Sequence, residues 1–266
     1  MNILQEIFTD HYEEIKYTLH PRPAEMENID KMINCGDPSF GGAMYGCPHC
    51  GKLKFVPFRC HSRFCPTCGN KYTMDRTTSM SFKLVNVTHR HCVFTIDENL
   101  RESFLKDRSL LDCLFHSVNS VISRMFYKMN KSKNFTPGFI MVLHTFGRDL
   151  KWNPHIHCLV CEEAFDTKKN KMKNFSFISY KKLRKTWMYQ VLDLLSKQKL
   201  KHFRYLKQRF YDELVNGFYV YAKKKEKDND DNNIDGCVNY ITRYTSRPPM
   251  AENCIKYEDD KKMIRW

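Results

Sequence analysis

Asn153-Pro154-His155-Ile156-His157-Cys158-Leu159-Val160 is the stretch on which the second half of this chain turns. Its apolar, β-branched composition after a proline reads as a strand. The period-2 pleat sends His155 and His157 to one face and Ile156 and Cys158 to the other. Two imidazoles side by side can bind a divalent ion and leave its other positions open. They can equally be a hydrogen-bonded pair, and the segment alone leaves both readings open.

The neighbouring segments supply a sheet and its covering helices. His91 to Ile96, Phe139 to Thr145 and Phe218 to Ala222 are further strand-like runs, the second entered through the turn signal Thr136-Pro137-Gly138. From Asp107, a plausible N-cap, Leu110, Leu111, Leu114, Val118, Val121, Ile122, Met125 and Met129 mark a long helix. Lys181 to Leu195 reads as another, with Leu183, Trp187, Val191 and Leu195 on one face and bases on the other. A polar, low-complexity loop over 223–235 precedes a helix-like segment over 234–245. At the N-terminus, Ile3, Leu4, Ile7, Phe8, Tyr12 and Ile15 predict an amphipathic helix. Ile29, Met32 and Ile33 predict a shorter one stopped near Gly36. Interleaved strands and helices make the second domain α+β or α/β.

Twelve cysteines without a signal peptide argue against a disulfide framework. Cys47-Pro48-His49-Cys50 and Cys65-Pro66-Thr67-Cys68 are two C-x-x-C knuckles separated by fourteen residues. Together they supply a tetrahedral four-thiolate site, which predicts structural Zn²⁺ on Cys47, Cys50, Cys65 and Cys68. Gly51 and Gly69, just after the knuckles, fit turns that need positive φ. Cys35 and Cys60 are contenders for replacing a knuckle cysteine, as are His49 and His61. The other six cysteines lack such pairing and read as core or surface thiols. Lys52, Lys54, Arg59, Arg63 and Lys71 give the module a small basic surface.

The net charge of +14 is concentrated. Fourteen of the 44 Lys and Arg but only one of the 30 acids, Asp193, fall between Lys168 and Arg209. A concentrated basic strip suits a polyanion, most simply nucleic acid, and Lys181, Lys182, Arg184 and Lys185 are its central candidates. The chain contains no run near the ~18 apolar residues a membrane span needs. Its first residues are acidic and amphipathic, not those of a secretion signal. A cytoplasmic, nucleoid-associated protein is expected.

The segment Asn239-Tyr240-Ile241-Thr242-Arg243-Tyr244-Thr245-Ser246-Arg247 places Tyr240 and Tyr244 on one helical face, with Arg243 and Arg247 at the same spacing. An aromatic stripe packed on a sheet would look similar; the arginines favour phosphate. A tyrosine hydroxyl with a pKa of ~10 needs a metal polarising its target, so the histidine and tyrosine pairs make sense of each other.

On these residues the chain resembles the HUH-type, two-tyrosine rolling-circle transposases of bacterial insertion sequences, the insertion sequence 91 group. The similar runs are Cys47 to Cys68 with Cys-His-Ser-Arg-Phe-Cys-Pro-Thr-Cys, His91 to Thr95, Pro137-Gly138-Phe139 with Val142 to Gly147, Asn153 to Cys158, Tyr219 to Lys223 and Tyr240 to Thr245. They occur in family order over nearly the whole chain.

The resemblance implies an α+β architecture. A small N-terminal helical, zinc-ribbon-like module (1–85) is joined to an HUH endonuclease domain (86–266) with a central antiparallel sheet flanked by helices. It implies that His155 and His157 hold catalytic Mg²⁺ or Mn²⁺, with His144 a candidate third ligand, and that Tyr240 and Tyr244 are the nucleophiles. The implied partner is single-stranded DNA at the ends of a mobile element, nicked and rejoined through a 5′-phosphotyrosine link, with Arg63, Arg243 and Arg247 also on DNA. Two other readings are a catalytically inactive, shortened zinc-dependent DNA-binding protein and a rolling-circle replication initiator. The former draws on the chain ending at Trp266, about twenty residues past the tyrosine segment.

Overall fold

In a computed structural model, residues 2–62, 64–130, 134–147, 149–174, 180–198, 203–222, 255–258 and 263–265 are described. The chain divides into two compact units. One comprises the chain up to Leu84 with the described C-terminal residues; the other begins at Val85.

The first unit opens with α1 (Ile3–Leu19), started by a capping box in which the Asn2 side chain accepts from the backbone N–H of Gln5 and the Gln5 side chain accepts from that of Asn2. Helix α2 (Pro23–Ile33) follows, with proline in its first turn. The antiparallel ribbon of β1 (Gly42–Gly46) and β2 (Leu53–Pro57) comes next, then α3 (Pro66–Ser81). Leu4, Ile7, Met32 and Ile255 are buried together with Cys35, Cys65 and Cys68. Among the described residues that apolar core is small for three helices, so a cross-link between them would add stability.

The second unit is built on a five-stranded antiparallel sheet. Its strands are β3 (His89–Thr95), β4 (Phe135–Phe146), β5 (Trp152–Asp166), β6 (Lys171–Asn174) and β7 (Val220–Tyr221). β5 lies between β4 and β3, β7 pairs with β3, and β6 pairs with the far end of β5. Thr136-Pro137-Gly138, expected as a turn, lies inside β4, where a register shift between Pro137 and Phe139 absorbs the ring that cannot donate to the ladder.

One face of the sheet carries the core. Cys92, Phe94, Ile156, Cys158 and Val160 are buried there against α4 (Glu98–Lys106), α5 (Leu111–Asn130), α6 (Tyr180–Lys197) and α7 (Phe203–Glu213). Leu183, Trp187, Val191 and Leu195 supply the inner face of α6 as their spacing predicts, and Trp187 Nε1 donates to the carbonyl of Thr95 at 2.9 Å. Gly217, at φ +77°, is required: a Cβ there would stand 2.5 Å from the Arg184 carbonyl oxygen. A short hairpin of β8 (Lys256–Glu258) and β9 (Met263–Arg265) belongs to the first unit. The expected α+β class with an antiparallel sheet is what the chain adopts.

Candidate functional site

Within the second unit, register decides which histidines meet. His144 on β4 lies opposite His155 on β5, and Val93 on β3 opposite His157. These side chains occupy the sheet face away from the core, and ligand atoms of His144, His155 and His157 all lie within 4.8 Å of one another. His155 Nε2 and His157 Nε2 are 3.1 Å apart. Two ligand atoms each about 2.1 Å from one ion at right angles would be about 3 Å apart, so the pair fits a shared divalent cation.

The electrostatics favour lone pairs here. Burial, reinforced by the positive charge that His144, His155 and His91 would carry, pushes His157 down to about 2. Burial pushes His91 down to about 4 and lowers His155 as well, against the pull of the Asn153 carbonyl. Burial thus favours the unprotonated form of His155 and His157, the state a metal requires. The His155 ring is fixed by a 2.7 Å contact between Nδ1 and the Asn153 carbonyl oxygen. His91, which the sequence reading did not single out as a site residue, places Nε2 3.0 Å from Nδ1 of His157. The available signal was its position at the head of the strand run His91 to Thr95.

In the first unit the cysteines that gather are Cys35, Cys60, Cys65 and Cys68, whose sulfurs lie within 4.8 Å of one another. Sγ of Cys68 is 3.6 Å from Sγ of both Cys35 and Cys60. Sulfurs around one zinc at about 2.3 Å are about 3.8 Å apart, so the four fit a tetrahedral ion. Cys47 and Cys50 are not in this group: both are exposed, in the turn joining β1 to β2. The ligand set expected from the two knuckles therefore differs from the set that is assembled. Spacing identifies turns, whereas assembly depends on α2 and α3 packing together. The Gln5 side-chain amide donates to the carbonyls of Met32, Ile33 and Cys35, holding Cys35 beside the second knuckle. Gly51 has the expected positive φ of 69°, but Gly69 lies within α3.

Backbone donors already point at these sulfurs, Cys60 N–H at Cys35 Sγ (3.3 Å) and Ser62 N–H at Cys60 Sγ (3.4 Å). Burial raises Cys60 and Cys68, while the Cys60 N–H and neighbouring thiols bring Cys35 down despite its own burial. Four ionised thiols cannot share one buried space unless a cation balances them.

Of the basic candidates, Lys182 and Lys185 are exposed on α6. Arg184 is engaged by its own chain, 5.1 Å from the Tyr219 ring centroid and 3.4 Å from the Phe218 carbonyl oxygen. Arg63, Tyr240, Arg243, Tyr244 and Arg247 lie outside the described residues, as does the side chain of Lys181. A cleft of about 620 Å³ opens at the β5–β6 end of the sheet, lined by Lys168, Lys169, Lys171 and Lys173 with Phe135 and Asp166. The Asp166 carboxylate accepts from the backbone N–H groups of Lys168 and Lys169, fixing the turn that carries the lysines.

Residues 7–96 match the family profile described as a transposase zinc-binding domain, and residues 138–265 match one described as a putative transposase. The chain carries a transposase zinc-binding domain of the insertion sequence 91 type and a putative transposase domain. The transposase for insertion sequence element IS801 of Pseudomonas savastanoi pv. phaseolicola is 30% identical over 259 residues, covering 92% of this chain and 60% of that protein. A putative transposase, y4qJ, of Sinorhizobium fredii is 24% identical over 248 residues, covering 87% of this chain and 61% of its own length. The chain thus spans about 60% of the length of these two relatives. No solved structure matches it. The four gathered cysteines lie inside the zinc-binding domain, and His144, His155 and His157 inside the transposase domain. Among the described residues no helix is long and apolar enough to cross a membrane.

Proposed function

We propose that the chain is a DNA strand-transferase of rolling-circle type, nicking and rejoining single-stranded DNA at the ends of a mobile element through a 5′-phosphotyrosine intermediate. The observation that carries this reading is the open cluster of His144, His155 and His157 on the middle strand of the transposase domain and its neighbour. His155, His157 and His144 would hold Mg²⁺ or Mn²⁺, which supplies charge neutralisation at the scissile phosphate.

The nucleophiles are Tyr240 and Tyr244. A tyrosine oxygen, its proton passed to solvent, bonds to phosphorus as the phosphorus–3′-oxygen bond breaks. The leaving 3′-oxygen is protonated to a free hydroxyl. The link retains the phosphodiester's energy, so a 3′-hydroxyl can reverse the step and join a new strand without a nucleotide cofactor. The second tyrosine accepts the other strand. Arg243 and Arg247, four residues apart in sequence like the tyrosines, would bind DNA phosphates, as would Arg63 of the zinc-binding domain.

Cys35, Cys60, Cys65 and Cys68 hold Zn²⁺ as a structural ion. Exposed Lys182 and Lys185 and the lysine-lined cleft bind the DNA backbone. That cleft begins at Asp166, nine residues along β5 from His157, or about 30 Å at strand rise. The DNA held there therefore flanks the reacting phosphate rather than including it.

The test is incubation with labelled single-stranded oligonucleotides from the element's ends plus Mn²⁺, scored for an adduct that survives denaturation. The adduct is expected in the unsubstituted protein and in Tyr221→Phe, and lost in Tyr240→Phe/Tyr244→Phe. No adduct with any end sequence would overturn the proposal.

A further inference from the structure

His91 lies on a different strand from the histidine pair yet reaches it. It faces Leu159 in register, while His157 faces Val93, so the two imidazoles meet across a diagonal of the β3–β5 ladder. Their planes differ by only 3°, and the ring centroids are 5.3 Å apart while Nε2 of His91 and Nδ1 of His157 are 3.0 Å apart. Parallel rings whose nitrogens are much closer than their centres are joined edge to edge, the geometry of an in-plane N–H···N bond.

The direction of that bond follows from the other histidine. A carbonyl oxygen only accepts, so the contact with Asn153 places the hydrogen of His155 on Nδ1 and leaves Nε2 as a lone pair. His157 Nε2 converges on the same point, 3.1 Å away. For it to offer a lone pair too, the hydrogen of His157 must sit on Nδ1, where the atom in reach is Nε2 of His91.

We propose that His91 is a positioning residue for the metal pair: its Nε2 accepts the Nδ1–H of His157, fixing the tautomer and ring angle that aim Nε2 of His157 at the cation. This rests on the reading of His155 and His157 as metal ligands. His91 does not touch the ion; it does for His157 what the Asn153 carbonyl does for His155. Partners of this kind raise ligand basicity, and their loss typically weakens metal binding about 10–100-fold.

Two variants and two readouts test it in the full chain. His91→Phe keeps a flat ring but removes the acceptor; His91→Gln restores an acceptor oxygen. Mn²⁺ affinity, read from the electron paramagnetic resonance signal of the free ion, is expected to fall about 10–100-fold in His91→Phe and to recover most of that loss in His91→Gln. Unchanged zinc content and circular dichroism report that each variant is folded. Nitrogen-15 NMR of the unsubstituted protein loaded with diamagnetic Mg²⁺ is expected to show His157 protonated at Nδ1, a readout that needs no variant to fold. His157 protonated at Nε2, or Mn²⁺ affinity unaltered in His91→Phe, overturns the positioning role alone. Absence of Mn²⁺ binding by the unsubstituted protein overturns the metal reading and this inference with it.

Discussion

The thiol cluster and the histidine cluster are both groups of soft or borderline donors within 4.8 Å of one another, and they differ in closure. Four cysteines, three of them buried, saturate a tetrahedral ion and leave no position for substrate. Three histidines, each half-buried on the coreless face of a sheet, leave positions open. The thiols come from the end of α2, the start of α3 and the loop between, so their ion would tie together segments that bury few apolar side chains among the described residues. The histidines sit on strands β4 and β5, whose opposite face already rests on a large apolar core. A metal at the first site should make the fold, and a metal at the second should use a fold already made.

The largest effect should come from breaking the first half of that contrast. Stripping zinc with a strong chelator, or Cys60→Ser, should remove on the order of 10 kcal/mol of metal-linked stability and unfold the first unit. Limited proteolysis would then cut within the first 84 residues while leaving the second unit resistant. Withdrawing Mn²⁺ should leave the proteolytic pattern of both units unchanged.

His157→Ala should reduce adduct formation by about 10²–10³-fold, as loss of charge stabilisation does elsewhere, with zinc content unaltered. A comparable loss of zinc would show that the two sites are not independent. The pH response of the metal-free second unit should be smaller. His157 and His91 have their pKa values pushed down by burial, so the unfolded chain takes up protons at a higher pH than the folded one. Stability present above about pH 6.5 should decline as pH falls towards about 4, measured by urea unfolding at a series of pH values. The smallest effect concerns the cleft. Lys169→Ala/Lys171→Ala should weaken DNA binding without altering its end preference, and the salt-dependence slope should fall by about one for each phosphate no longer neutralised.

Elements with one wet and one dry face were legible in the sequence. The long helix α5, the inner face of α6 and the alternation of His155, Ile156, His157 and Cys158 all follow from periodicity, because burial there is one-sided. Helix α3 was not legible past about residue 70. Its sequence is polar on every side, and only Pro66, Cys68 and Gly69 are buried, so no stripe announces it. Helix α4, between Asp97 and Asp107, is short and shows two buried side chains, Leu100 and Phe104, too few to set a period.

The sites divide in the same way. His155 and His157 were readable because two residues on one strand carry their geometry with them. Cys35 and Cys60 stood only as contenders, because their place at the cluster depends on Gln5 gripping the end of α2 and on the packing of α3, contacts between residues far apart in sequence. His91 reaches His157 across strands, a diagonal fixed by register that no local pattern encodes.

The contrast between a closed thiolate site and an open histidine site is tested most directly by native mass spectrometry of the metal-loaded protein, after dialysis, in three forms: unsubstituted, Cys47→Ser/Cys50→Ser, and Cys60→Ser. The account predicts one tightly held zinc in the first two, none in the third, and a Mn²⁺ that washes out of all three. Zinc lost from Cys47→Ser/Cys50→Ser but kept in Cys60→Ser would contradict it.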